Sequence, residues 1–279
     1  DWVSYLEKYH IPAVDYSEGV KTAYPQGVQA KEFILPKELL EQDCVISLSK
    51  MKTHALERIT GAVKNSYGFV YGFHKAKGHT QYPSADSFAR MLIDLNKCVA
   101  PKLYVMDGIV AMEGNGPGSG DPVPMNVLLM STDPVALDSV FSRLVYLKPE
   151  MVPTNYHGEK MGLGTWKEEE ITLLTPDGEI SMAEAVKKYG NPAFNVDRTE
   201  VRKNIWTRMA GALNIFQKKP YIEADKCVRC GICVQSCPVP GKAVDFRKGK
   251  GKPPVYDYRK CIRCFCCQEM CPKKAIKVK

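Results

Sequence analysis

The sequence predicts an α/β domain with a mainly parallel sheet and helices, followed by a small cysteine-rich α+β domain at the C-terminal end. Three observations carry that reading. Strand-like and helix-like segments alternate through the first two thirds of the chain. Nine of the eleven cysteines fall between Cys227 and Cys271. Charge divides at the same place: from Pro220 onward there are 14 Lys and Arg against 5 Asp and Glu, so the tail carries +9 and the rest −1 of a formal net charge of +8. A length of 279 residues, 44% of them apolar, suffices for one large core and one small one. No apolar run approaches about 18 residues and no charged-then-apolar leader opens the chain, which argues against a membrane-spanning or secreted protein and for the cytoplasm. The first residue is Asp, not Met, so the chain is expected to be N-terminally incomplete.

The elements follow in order. Residues 44–49, Cys-Val-Ile-Ser-Leu-Ser, read as a short buried strand, with Cys44 in the core. Ser84 is placed to cap a helix whose Phe88, Met91, Leu92, Leu95 and Val99 recur at helical spacing, with Cys98 packed in the same stripe. Residues 102–107 form the next strand and lead into the glycine-rich run 114–120. Residues 126–131 are a strand, and Asp133-Pro134 opens the helix after it. A strand over 171–174 and a helix over 182–189 complete an α/β domain at 1–198, and a linking helix is expected over 199–219.

The remaining domain, 220–279, is an internal repeat. Cys227-Val-Arg-Cys-Gly-Ile-Cys and its continuation to Cys237-Pro238 align with the run from Cys261 to Cys271-Pro272 at a constant offset of 34. Each run has the spacing C-x2-C-x2-C-x3-C-P. Three closely spaced thiolates wrap one face of an iron–sulfur cubane, and the fourth, beyond the turn, serves the other cluster. The expected ligand sets are Cys227, Cys230, Cys233 and Cys271 for one [4Fe-4S] cluster, and Cys261, Cys264, Cys267 and Cys237 for a second. Structural zinc needs neither the third cysteine nor the proline. A basic tail usually suggests nucleic acid, but ligation turns eight of these residues into thiolates, so no nucleic-acid partner is expected.

On these motifs the tail resembles a bacterial-type ferredoxin with two [4Fe-4S] clusters, which implies a pseudo-twofold fold and fast electron exchange. Phe265 stands where the first repeat has Gly231, and Cys266 is an extra thiol beside a ligand. The basic insert at 247–252 is read as a solvated loop that suits an acidic electron donor.

Upstream, residues 33–147 resemble the family called domain of unknown function 362. The resemblance rests on Lys50-Met-Lys-Thr-His54, Lys64-Asn65 with Gly68, His79, Asp107-Gly108, the run from Glu113 to Gly120, and Asp133-Pro-Val-Ala-Leu-Asp138. In open α/β sheets ligands bind beyond the carboxyl ends of strands. Lys50, Lys52 and His54 follow one predicted strand end, and Glu113 with the glycine run follows another. If those strands are parallel neighbours, the groups converge on one crevice. Lys50, Lys52, Lys64 and Asn65 are then candidate anion binders, with Gly114, Asn115 and Gly116 as a close-approach loop. His54, His79 and Glu113 are candidate catalytic groups. Asp138 reads as a buried, paired carboxylate holding the architecture, with a site residue as the alternative.

These features point to an iron–sulfur oxidoreductase passing low-potential electrons between a soluble donor or acceptor protein and a small molecule in the α/β domain, in an anaerobic setting. Two alternatives stay open: a non-enzymatic carrier docking a partner complex, and a cofactor-maturation or metal-handling protein.

Overall fold

A computed structural model describes residues 2–72, 74–200 and 219–278. Helix α1 (Trp2–Lys8) precedes an antiparallel hairpin of β1 (Gly19–Ala23) and β2 (Glu32–Pro36). A short helix, α2 (Lys37–Leu40), leads to β3 (Ile46–His54), which reverses through residues 55–57 into β4 (Arg58–Thr60). Helices α3 (Ala62–Asn65), α4 (His74–Gln81) and α5 (Ala85–Val99) then carry the chain to β5 (Leu103–Glu113). Strand β5 lies parallel to β3, with Ile46 opposite Leu103 and Lys50 opposite Asp107. Strand β6 (Asp121–Ser131) returns antiparallel beside it. The domain closes with α6 (Pro134–Leu144), α7 (Pro153–Lys160), a small hairpin of β7 (Leu173–Thr175) and β8 (Gly178–Ile180), and α8 (Met182–Tyr189).

The α/β class is as expected, but the sheet is mixed. Its order is β4-β3-β5-β6, and only the central pair is parallel. The cause lies in the connections: a three-residue corner and the glycine run can only reverse a strand, whereas the three-helix crossover between β3 and β5 allows a parallel return. Both central strands also run past their expected ends, to His54 and Glu113. The apolar run stops near Ser49, but alternation continues: Met51 and Thr53 face inward while Lys50 is exposed. Lys50, Lys52 and His54 therefore sit within a strand, not on a loop after it. Cys44 precedes β3 and is exposed, so the core placement expected for it fails, and Cys98 is only half-buried.

The caps behave as the sequence implies. Ser84 accepts from the Ser87 N–H at 3.1 Å. Asp133 Oδ1 accepts from the N–H groups of Val135 and Ala136 at 2.7 and 2.9 Å. One core joins Met51, Met106 and Ile59 of the sheet to Leu137 and Phe141 of α6, and Phe194 and Val196 belong to it. A second core gathers Phe88, Met91, Leu92 and Leu95 of α5 with Phe33, Leu35 and Val63. The opposite face of the sheet leaves Ile46, Leu48, Leu128 and Met130 exposed.

The linking helix expected over 199–219 falls, from 201 to 218, outside the described residues. In the tail, β9 (Pro220–Ile222) pairs with β12 (Ile276–Val278), and β10 (Val244–Asp245) pairs with β11 (Val255–Tyr256). Two one-turn helices, α9 (Ile232–Gln235) and α10 (Cys266–Glu269), lie against each other. The repeat is visible in the backbone. Arg229 and Arg263 both have φ +59°, and Gly231 (φ +78°) and Phe265 (φ +61°) both enter their helices from the left-handed region. Phe265 bears the steric cost of that conformation, of order 1–2 kcal/mol, while its ring is buried.

Candidate functional site

The cysteines form two interlaced rings. One small cavity is lined by Cys227, Cys230 and Cys233 of the first repeat and Cys271 of the second. The other is lined by Cys261, Cys264 and Cys267 of the second repeat and Cys237 of the first. The exchange of the fourth cysteine follows from the two helices lying side by side, the cysteine two residues beyond each helix end lining the neighbour's cavity. Among the described residues no three His, Cys, Asp or Glu groups sit close enough to hold a single ion, so each set surrounds a space and does not meet at a point. Donors point at the sulfurs: the Ala243 and Ala275 N–H groups reach Cys237 and Cys271 Sγ, both at 3.3 Å, and Tyr256 Oη donates to Cys267 Sγ at 3.1 Å. Burial and the neighbouring Cys227, Cys230 and Cys271 push the Cys233 thiol up to about 11. Four thiols crowded in this way favour a cationic core that takes up their charge. The residues present thus fit an iron–sulfur cubane in each cavity.

The tail sits on the α/β domain through the glycine run. Gln268 Nε2 donates to the carbonyls of Asn115 and Gly116, each at 2.9 Å. Asn115 Nδ2 donates to Ile276 O at 2.9 Å, and Lys274 Nζ to Gly120 O at 2.9 Å. A Cβ on Gly118 would meet Glu269 O at 2.8 Å, and one on Gly116 would meet Thr53 O at 2.1 Å. Close backbone approach, the reason for glycine here, is therefore to β3 and to α10. His54 completes the contact. Its Nδ1 accepts from the N–H groups of Leu56 and Glu57 at 3.1 and 3.0 Å, so the proton is on Nε2, 3.1 Å from Glu269 Oε1. Burial, then Lys64, lowers His54 to about 4. Burial works to raise the Glu269 carboxyl, but Lys64 and the His54 hydrogen bond overcome it and leave it at about 2.

Beside this contact lies a cleft of about 930 Å³ between the two domains. From the α/β side it is lined by Lys52, Lys64, Asn65, Thr60 and His79, and from the tail by Cys237, Lys242, Cys266 and Glu269. Lys64 is buried, and burial followed by Lys64 lowers the Lys52 ammonium. Two lining residues carry a buried polar atom that lacks a partner among the described residues, Thr60 Oγ1 and His79 Nδ1. Helix α3, which carries Lys64 and Asn65, is held by Asp138, whose carboxylate accepts from the Ala62 and Val63 N–H groups at 2.6 and 3.1 Å. Asp138 is the buried structural carboxylate that its sequence context implies.

Comparison with known proteins now bears on this architecture. Residues 2–143, half of the chain, match the family described as Domain of unknown function (DUF362). The chain belongs to the DUF362 family. Residues 219–272 of this DUF362 protein match the 4Fe-4S dicluster domain, which makes it an iron–sulfur protein of the 4Fe-4S type. Thylakoid-associated protein sll1697 of Synechocystis sp. (strain ATCC 27184 / PCC 6803 / Kazusa) is 42% identical over 130 residues, covering 46% of this chain and 40% of the relative. The chain thus matches less than half of that relative's length. No solved structure matches it. Among the described residues no helix is long and apolar enough to cross a membrane.

Within the DUF362 domain the expected site residues separate into three groups. Lys52, Lys64, Asn65 and His79 do converge on the cleft. His54 stands behind Glu269, with both ring nitrogens engaged, Asn115 and Gly116 bond the tail, and these three residues with Gly114 line a second cavity of about 530 Å³. Lys50 and Glu113 are elsewhere. Lys50 pairs with Asp107 at 2.6 Å on the exposed sheet face, because it faces away from the core in the alternation of β3. Glu113 Oε2 accepts from the Asn195 N–H at 2.8 Å. Sequence reasoning missed Thr60, Glu269 and Gln268. The repeat held a signal for the last two: polar Gln268-Glu269 stand where the first copy has Val234-Gln235. It also missed Glu57, which is fully buried, has no partner for either carboxyl oxygen among the described residues, and is pushed well above the carboxylate range by burial.

Proposed function

We propose that this DUF362 protein is an oxidoreductase that binds two [4Fe-4S] clusters and passes low-potential electrons to an anionic small molecule held in the interdomain cleft. Cys227, Cys230, Cys233 and Cys271 would hold one cluster, and Cys237, Cys261, Cys264 and Cys267 the other. Bound there, the clusters supply one-electron storage and relay. The observation that carries the reading is the position of Cys237: it belongs to the second ring and also lines the cleft, opposite Lys52 and Lys64.

The protein's own groups supply the rest. Lys52 and Lys64, drawn partly out of water, attract and neutralise a carboxylate or phosphate. Thr60 and His79 line the same cleft, and Thr60 Oγ1 and His79 Nδ1 behind that lining have no partner among the described residues. Glu269 stays ionised, while burial and Lys64 keep His54 neutral against the pull of that carboxylate, so the pair fixes α10 against the cleft and does not deliver a proton. Cys266 lines the cleft beside Cys264 and would stay outside either ligand set.

Two measurements test the proposal. Anaerobically purified protein is expected to hold about eight iron and eight acid-labile sulfide per chain; about two zinc ions and no brown absorbance would overturn the cluster assignment. Protein reduced anaerobically and mixed with a small-molecule cell extract is expected to be reoxidised. Lys64→Gln should slow that reoxidation about tenfold or more with iron content unchanged. Equal rates in parent and variant would remove the cleft from the reaction.

A further inference from the structure

The two cysteine rings differ in exposure. In the second ring Cys237, Cys264 and Cys267 are buried, and the ring abuts the cleft. In the first, Cys230 is exposed and Cys227 and Cys271 are partly so. Around Cys230 the surface is basic: Lys226, Arg229, Lys248, Lys250, Lys252 and Lys273 are all exposed. The insert is drawn toward the ring by a hydrogen bond from Arg229 Nη1 to Gly251 O at 3.0 Å, which brings three lysines to the rim. Acidic residues are few here. Glu223 is taken up by Lys226 at 2.7 Å, Asp225 is exposed and acts on the same Lys226, and Arg247 of the insert is spent on Asp257 at 3.4 Å. Val228, 53% exposed, adds a small apolar contact beside Cys230.

We infer that this face is the docking surface for an acidic one-electron donor protein, so that electrons enter at the exposed first ring and leave through the buried second ring into the cleft. The inference rests on the two-cluster reading above. In the entry step the donor loses one electron and the oxidised cluster at the first ring gains it, with no bond made and no proton moved. A small apolar centre within a ring of like charge is the geometry of a transient, electrostatically steered encounter: it speeds association without slowing release. A uniformly anionic lipid or nucleic-acid surface suits the face less well, because Glu223 and Asp225 interrupt the basic ring.

The test uses the intact holoprotein and an acidic plant-type [2Fe-2S] ferredoxin as the probe, with binding followed by calorimetry. Affinity is expected to fall about tenfold or more between about 20 and 300 mM salt. The triple variant Lys248→Glu, Lys250→Glu, Lys252→Glu should lose about tenfold or more at low salt while keeping its cluster absorbance. Lys187→Glu with Lys188→Glu on α8, a charge change of similar kind away from the face, should leave binding unchanged. Equal loss in both variants, or binding to anionic phospholipid vesicles in preference to the ferredoxin, would overturn the inference. A parent protein lacking cluster absorbance would instead indict the two-cluster reading, and the two failures are thereby distinct.

Discussion

His79 is a buried imidazole packed among rings. It stacks on Phe88 with centroids 4.5 Å apart and meets Tyr67 edge-on at 5.5 Å. Burial lowers it from 6.5 to about 4. Because the folded value is below the unfolded one, the unfolded chain takes up the proton first. The stabilisation is fully present above pH 6.5 and is lost as pH falls toward 4. His54 acts with the same sign. Asp138 acts with the opposite sign: burial pushes it up to about 7 from 3.8, so its contribution is present below 3.8 and lost as pH rises through 7. Glu57, also raised by burial, acts with Asp138, so two carboxyls oppose two imidazoles and the histidine share of the acid response has to be read by substitution. The replacement His79→Leu isolates one share of that effect: between pH 7 and 5 the parent's urea midpoint should fall further than the variant's. Parallel curves would mean that His79 takes up its proton as readily in the native state as in the unfolded chain.

The glycine run is an element whose role is set by what it touches. Gly118 has an ordinary backbone conformation, and a methyl there meets only the α10 backbone. Gly118→Ala should therefore cost about 1–3 kcal/mol through overpacking of the seat. Gln268→Ala removes two donors to the same loop, so the pair should be non-additive by about 0.5–1 kcal/mol or more in a double-mutant cycle. Additive effects would mean that the two sites do not share one contact. This element also shows where sequence reasoning stops. The caps at Ser84 and Asp133, the stripe of α5 and the cysteine spacing are local patterns, legible because their partners lie within a few residues. The glycine run was legible as a close approach, but its partner is more than 150 residues away, and no local rule names it. Glu113 and Lys50 misled for a related reason: polar residues at strand ends suggest a site, yet only the pairing register decides which of them face the cleft. The mixed order of the sheet was likewise hidden, since periodicity identifies strands without giving their direction.

At the scale of the whole molecule, the proposed ligand Cys267 and the seat residues Gln268 and Glu269 share one helical turn. A cluster that orders that turn also orders the contact with the DUF362 domain. Removing iron with a chelator under anaerobic conditions should then raise hydrogen exchange in residues 113–120, whose Gly114 and Gly116 amides are internally bonded, as well as in the tail. Exchange that rises only beyond residue 219 would show that the two domains are coupled more weakly than their hydrogen bonds imply.

The shared turn also limits how such a chain can evolve or be rebuilt. Domains joined by a linker are often exchanged as cassettes, but a foreign two-cluster module grafted here would arrive without Gln268 and Glu269 opposite the glycine run. It would fold and take up iron while lying at an undefined distance from the cleft, and electron tunnelling falls steeply with distance. Exchange of the module therefore has to be accompanied by changes in the loop that receives it.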